Sequence, residues 1–130
     1  MNGENMTEKK KRKPSMSPTQ LSLKDARESG CLAQVVEKWN PHAKVRQDLF
    51  GVIDIVAIGC GRIVGIQATS RANVSSRVEK IRISKEAMVW CESGGTLEVH
   101  GWDKHENRWR NRRILMTYDV PLKVWHSEEQ

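Results

Sequence analysis

VIDIVAIG (residues 52–59) and RIVGIQATS (residues 62–70) decide the fold. Each is a near-continuous apolar run, broken by Asp54 in the first and Gln67 in the second, as expected of central strands buried on both faces. The short link Gly59-Cys60-Gly61 makes them a hairpin pair, and a period of two puts Thr69 on the face of Gln67. Working outward, TLEVHGW (96–102) alternates, and WRNRRILMTY (109–118) reads as its antiparallel partner across a polar loop at 103–108. Upstream, AKVRQD (43–48) also alternates, which places Lys44, Arg46 and Asp48 on one face if the segment is extended. CLAQVVEKW (31–39) suits a strand, with a continuing helix as the alternative, and Asn40-Pro41-His42 then breaks the chain. Leu21, Leu23 and Ala26 fall on a short helix that Glu28, Ser29 and Gly30 bring to an end. Asn73 can cap a helix carrying Val74, Val78 and Ile81. Ser84 can cap another with Ala87, Trp90 and Cys91, although residues 87–91 also suit a strand. The order helix, three strands, helices, two strands predicts an α/β domain around a mixed central sheet.

A chain of 130 residues has room for one such domain, and 38% hydrophobic residues with five Trp suffice for its core. No window approaches the roughly 18 consecutive apolar residues of a membrane span, and residues 1–20 lack the apolar stretch of a secretory signal, so an intracellular site is expected. Cys31, Cys60 and Cys91 are odd in number and lack C-x-x-C spacing, which points to reduced, partly buried thiols. The net charge is +6, which suits a polyanionic partner. Much of it sits in residues 1–19, read as a disordered arm in which Lys9, Lys10, Lys11, Arg12 and Lys13 stand among Pro and Ser. The α/β domain then spans residues 20–130. The arm is either a solubilising leader or a phosphate-binding tail. If it binds phosphates, deleting residues 1–18 should flatten the salt dependence of DNA binding by up to about 0.9 in log–log slope for each phosphate no longer neutralised; an unchanged slope would make it a passive leader.

Asp54 is the most informative residue, because burying a lone carboxylate in an apolar strand costs several kcal/mol unless a cation, a metal or donors meet it. Asp54 and Gln67 on neighbouring strands can form a joint polar site. Plainer roles stand beside this one. Asp54 can pair with Arg46 or Lys44, Gln67 and Thr69 can bond backbone at a sheet edge, Asp48 can be a turn residue, and Glu28 can simply be solvated. His100 and His105 lack ligand spacing and read as surface histidines. Trp109 lies among Arg108, Arg110, Arg112 and Arg113, a mix that suits either phosphate contacts or a charge-protected edge strand.

Asp54-Ile55-Val56-Ala57 followed by Ile66-Gln67-Ala68-Thr69 resembles the PD-(D/E)xK, or restriction-endonuclease-like, nuclease superfamily. Among its members the layout is most similar to the archaeal Holliday-junction resolvases, over residues 21–83. In that family an Asp begins a strand of the D-I-V-A type, the next strand carries I-E-x-K, and a Glu often lies on the first helix, for which Glu28 is the candidate. The stretch from Gln47 to Ile81 also resembles a group of phage-borne proteins, which would place the chain in the host-cell cytoplasm. The resemblance implies an endonuclease dependent on Mg²⁺ or Mn²⁺ that hydrolyses DNA phosphodiesters, including junction DNA, as a symmetric dimer. It implies Asp54 and Gln67 as ligands, with Asp48 and Glu28 as further candidates. Two departures stand out. Gln67 replaces the family's Glu and removes a charge from the metal site, and Thr69 replaces its Lys, whose positive field a hydroxyl cannot supply. A migrated cation is then required, for which Lys44 is the first candidate, Arg46 the second and Arg71 the next. Arg46, Arg71 and Arg110 join the basic arm as candidate DNA contacts. The alternatives are a non-catalytic DNA-binding protein on a degenerate nuclease scaffold, and an interaction protein with no nucleic-acid role.

Overall fold

The computed structural model describes residues 15–130; Lys9, Lys10, Lys11, Arg12 and Lys13 of the basic arm lie outside the described residues. Ser17 Oγ accepts the Gln20 amide at 3.2 Å and Pro18 fills the first turn of helix α1 (Pro18–Glu28). The helix therefore starts two residues ahead of the expected domain boundary at Gln20. In chain order there follow β1 (Leu32–Val35), β2 (Lys38–Asn40), β3 (Val45–Gln47), β4 (Ile55–Gly59) and β5 (Arg62–Ser70). A 3-10 turn (Arg71–Asn73) then leads into α2 (Val74–Arg82), α3 (Lys85–Glu92), β6 (Thr96–His105), β7 (Arg108–Asp119) and β8 (Val124–Glu129).

Six strands form one mixed sheet in the order β1-β4-β5-β6-β7-β8, in which only β5 and β6 run parallel. That pair needs a crossover, and the 3-10 turn with α2 and α3 provides it. The tight β4–β5 link has Cys60 and Gly61 at φ 52° and 74°, the positive φ values that two-residue hairpins favour. Alternation along the strands splits the core in two. Ile55, Ala57, Val64 and Ile66 meet Leu23 and Ala26 of α1 on one face. Val52, Ile53, Leu97, Val99, Ile114 and Met116 meet Val74, Ile81 and Ala87 on the other. The domain is thus a three-layer α/β/α arrangement, and no helix among the described residues is long and apolar enough to cross a membrane.

Several local expectations are corrected. Residues 31–39 form neither one strand nor a helix: β1 ends at Val35 and β2 opens a separate two-stranded ribbon with β3. Residues 87–91 are helical, because Ser84 Oγ caps α3 by accepting the Ala87 amide at 3.0 Å. β8 is an added edge strand whose Trp125 packs on Tyr118 with ring centroids 5.2 Å apart. His100 is not a surface residue but 1% exposed. Its Nδ1 lies 2.8 Å from Ser22 Oγ and its Nε2 2.8 Å from Glu98 Oε1, while Trp102 Nε1 donates to Ser22 Oγ at 2.8 Å. Burial opposes ionisation of Glu98, yet His100 and Arg113 hold its pKa down at about 2. The Ser-His-Glu order has the outline of a nucleophile relay. Ser22, however, is sealed from solvent and already takes the indole N–H, so the network fastens α1 to β6 rather than meeting a substrate.

Gly101 sets the opposite face. A Cβ there would run into the Val74 side chain and come within 3.0 Å of the Arg71 backbone, so the bare glycine lets the 3-10 turn and the start of α2 lie directly on β6. This brings α2 alongside the end of β5, where Gln67 and Thr69 emerge.

Candidate metal centre

Asp54 immediately precedes β4 and is held at both backbone ends: its N–H donates to Ile66 O and its carbonyl accepts from Val36 N, each at 2.8 Å. The side chain is 3% exposed. Its Oδ2 accepts the Ala68 amide at 2.8 Å and Gln67 Nε2 at 2.9 Å, and the same Gln67 Nε2 donates to Asp48 Oδ2 at 3.1 Å. Asp48 closes the β2–β3 ribbon and Glu37 opens it. Because Lys38 pairs with Gln47, these two carboxylates stand opposite each other at the ribbon's base. Oxygens of Glu37, Asp48 and Asp54 all lie within 4.8 Å of one another. From α2, Lys80 Nζ approaches Asp48 Oδ2 at 3.4 Å and Gln67 Oε1 at 3.5 Å.

Asp48 and Asp54 stand too close for both to be ionised cheaply. Burial, then the hydrogen bond to Asp48 and repulsion from it, raises the pKa of Asp54 to about 7, against the Ala68 amide, which works the other way. Burial also works against ionisation of Asp48, but hydrogen bonds from Asp54 and Gln67 and the charge of Lys80 outweigh it and lower its pKa. Asp54 is thus the proton holder and Asp48 the anion. This trio of hard oxygen donors could hold a metal ion. Gln67 fits less well as a ligand, since it turns its NH₂ to the carboxylates and its oxygen to Lys80.

No family model, curated protein or solved structure matches the chain.

Of the residues expected from the sequence, Asp54, Asp48 and Gln67 come together, and Thr69, 5% exposed, follows on the same face of β5. Glu28 does not join them. It is exposed at the end of α1, leading into β1 where Leu32 pairs with Ile58, the far end of β4 from Asp54. Lys44 is also displaced: it sits in the ribbon's turn at φ 54°, about 13 Å of extended chain from Asp48, so it does not share a strand face with Arg46 and Asp48. Neither Lys44 nor Arg46 pairs with Asp54; Arg46 faces Glu37 at 3.8 Å. Arg71 packs against Gly101 and lends its charge to Asp103, and Arg110 is held by Asp103 at 3.0 and 2.7 Å. Among the described residues, Lys80 stands beside Asp48 and Arg46 beside Glu37, which is the third carboxylate. Sequence reading missed Lys80 and Glu37. Folding the chain about Asn40-Pro41-His42 as a hairpin puts Glu37 opposite Asp48, a usable signal; Lys80 is one of several cations on α2 and carried none. An apolar groove of about 530 Å³ lies elsewhere, between Phe50, Ile63, Val89 and Trp90, with Lys85 and Glu86 also in its lining.

Proposed function

We propose that the chain is a metal-dependent endonuclease of the PD-(D/E)xK kind that hydrolyses DNA phosphodiesters, with Glu37, Asp48 and Asp54 as the residues that hold Mg²⁺ or Mn²⁺. The observation that carries this reading is the convergence of three carboxylates at the head of a β-strand with a lysine 3.4 Å from one of them. A divalent ion bound there supplies a water of lowered pKa and charge to oppose that on the scissile phosphate. The chain's own residues do the rest. Asp54 would serve as a ligand in its carboxylate form, its proton passing to solvent; Gln67 orients both aspartates through its NH₂, and Lys80 would provide the positive field that Thr69 cannot. Lys80 arrives from a helix rather than from β5, so the cation is displaced in sequence. The symmetric dimer, the host-cell cytoplasm and junction DNA as a substrate belong to the same proposal, on the strength of the resemblance alone.

A second reading, a DNA-binding protein that has lost catalysis, is favoured by one feature: Gln67 presents donors where the family presents a carboxylate. Incubating the protein with supercoiled plasmid and with four-way junction DNA, in Mg²⁺, Mn²⁺ or EDTA, separates the two. Nicked or linear product in metal alone is expected. Metal-independent binding with no cleavage of any substrate would establish the second reading in its place.

A further inference from the structure

The β2–β3 ribbon stands outside the main sheet, and isolated two-stranded ribbons are marginally stable in water. Its place in the molecule therefore calls for a reason other than core packing. From Lys38 to Gln47 it holds Lys38, Lys44, Arg46 and His42 and no carboxylate. Every residue of it but Asn40 is exposed, including Trp39 at 54%. Its shape is nonetheless fixed. Asn40 Oδ1 accepts the His42 and Ala43 amides at 2.9 and 3.1 Å, and Lys44 takes the left-handed conformation that starts the return strand. Trp39 lies directly across from Arg46, so an indole and a guanidinium share one face. The two ends of this ribbon are Glu37 and Asp48.

A basic, acid-free ribbon with an uncovered indole, rooted in the candidate metal ligands, has the chemistry of a strand-binding arm. We propose that it grips an unpaired nucleic-acid strand beside the carboxylates, with Trp39 stacking on a base and Arg46, on the same face, and Lys44, at the turn, meeting backbone phosphates. A single aromatic among cations suits a polyanion with π faces better than it suits a protein surface, which would need contiguous apolar area. The base must be unpaired, because in an intact duplex both of its faces are covered by neighbouring base pairs. The inference rests on the nucleic-acid reading of the site and narrows the substrate to DNA with unpaired nucleotides next to the cleaved bond.

The test is fluorescence anisotropy of the full chain in EDTA, with labelled oligothymidine and a labelled duplex of equal length, so that binding is read apart from cleavage. Trp39→Ala should weaken single-strand binding by about ten-fold or more and duplex binding far less. Trp39→Leu, which keeps apolar bulk without a π face, should give the same loss, and Trp39→Phe should recover most of the affinity. Lys44→Ala should lower the single-strand salt slope by about 0.7 for the one phosphate it releases. Equal effects of Trp39→Ala on both DNA forms, or none on either, would overturn the arm while leaving the site reading intact. A wild-type protein that binds neither form in EDTA and cleaves neither in Mg²⁺ or Mn²⁺ would remove both.

Discussion

Asp54→Asn is expected to yield a protein that is more stable than the wild type at neutral pH and inert toward metal. The pKa of Asp54 is about 7 in the fold against 3.8 for the ordinary group. Below pH 4 the folded and unfolded states both hold the proton, and it costs nothing. As pH rises from 4 to 7 the unfolded chain releases the proton while the folded one keeps it, so stability falls across that window. Above pH 7 the loss is complete. The lowered pKa of Asp48 works in the opposite sense and recovers part of it. Asparagine imitates the protonated acid: its oxygen can accept from Ala68 and Gln67, and its NH₂ can donate to Asp48 as the proton does. In EDTA the melting temperatures of wild type and variant should coincide near pH 4 and separate by on the order of 5 °C by pH 7, the variant higher. Mg²⁺ or Mn²⁺ should raise the melting temperature of the wild type alone, more at pH 8 than at pH 6, since the cation displaces a proton. A variant that is less stable than the wild type at pH 7 would mean that Asp54 is a compensated anion.

Lys80→Met should lower metal-dependent cleavage by about 10² or more, the usual cost of losing one transition-state donor, and leave DNA affinity within a few-fold. Stability should hardly move, because an ion pair whose lysine is 39% exposed is worth about 1 kcal/mol at most and Met keeps the apolar stem. The informative partner is Thr69→Lys. Thr69 lies on the face of Gln67, one pleat further along β5, where the resemblance places the family's lysine. Adding Thr69→Lys to Lys80→Met should therefore restore much of the lost rate, while Thr69→Lys alone should add little. Full activity in Lys80→Met, or activity appearing only once Thr69→Lys is introduced, would show that Lys80 is not the displaced cation.

The central hairpin was legible because its two strands are buried on both faces, so apolar continuity and the interruptions at Asp54 and Gln67 state directly where polar groups enter the core. The sheet's α/β class and two of the three carboxylates followed. Glu37 was hidden because β1 and β2 abut with only Val36 and Glu37 between them, and the run reads as one segment until Lys38 is paired with Gln47. Lys80 was hidden for a different reason: the angle at which α2 lies on β6 depends on Gly101 meeting Val74 across 27 residues of chain. His100 was misread because its partners, Ser22 and Glu98, come from a helix and a strand far apart in sequence, and alternation alone does not distinguish a solvated face from one covered by α1. β8 escaped notice because a short edge strand rich in charge carries little apolar pattern.

The ribbon's attachment to the sheet has one more consequence. Val36 N to Asp54 O and Leu49 N to Ile53 O, each 2.8 Å, pin its base, and beyond them it has no core of its own. Elements of that kind open in local excursions at a small fraction of the cost of global unfolding. Such an excursion would carry Glu37 and Asp48 away together and leave Asp54 and Lys80 in place. The centre could thus be taken apart and rebuilt while the domain stays folded, and whatever bridges ribbon and sheet would serve as its clasp.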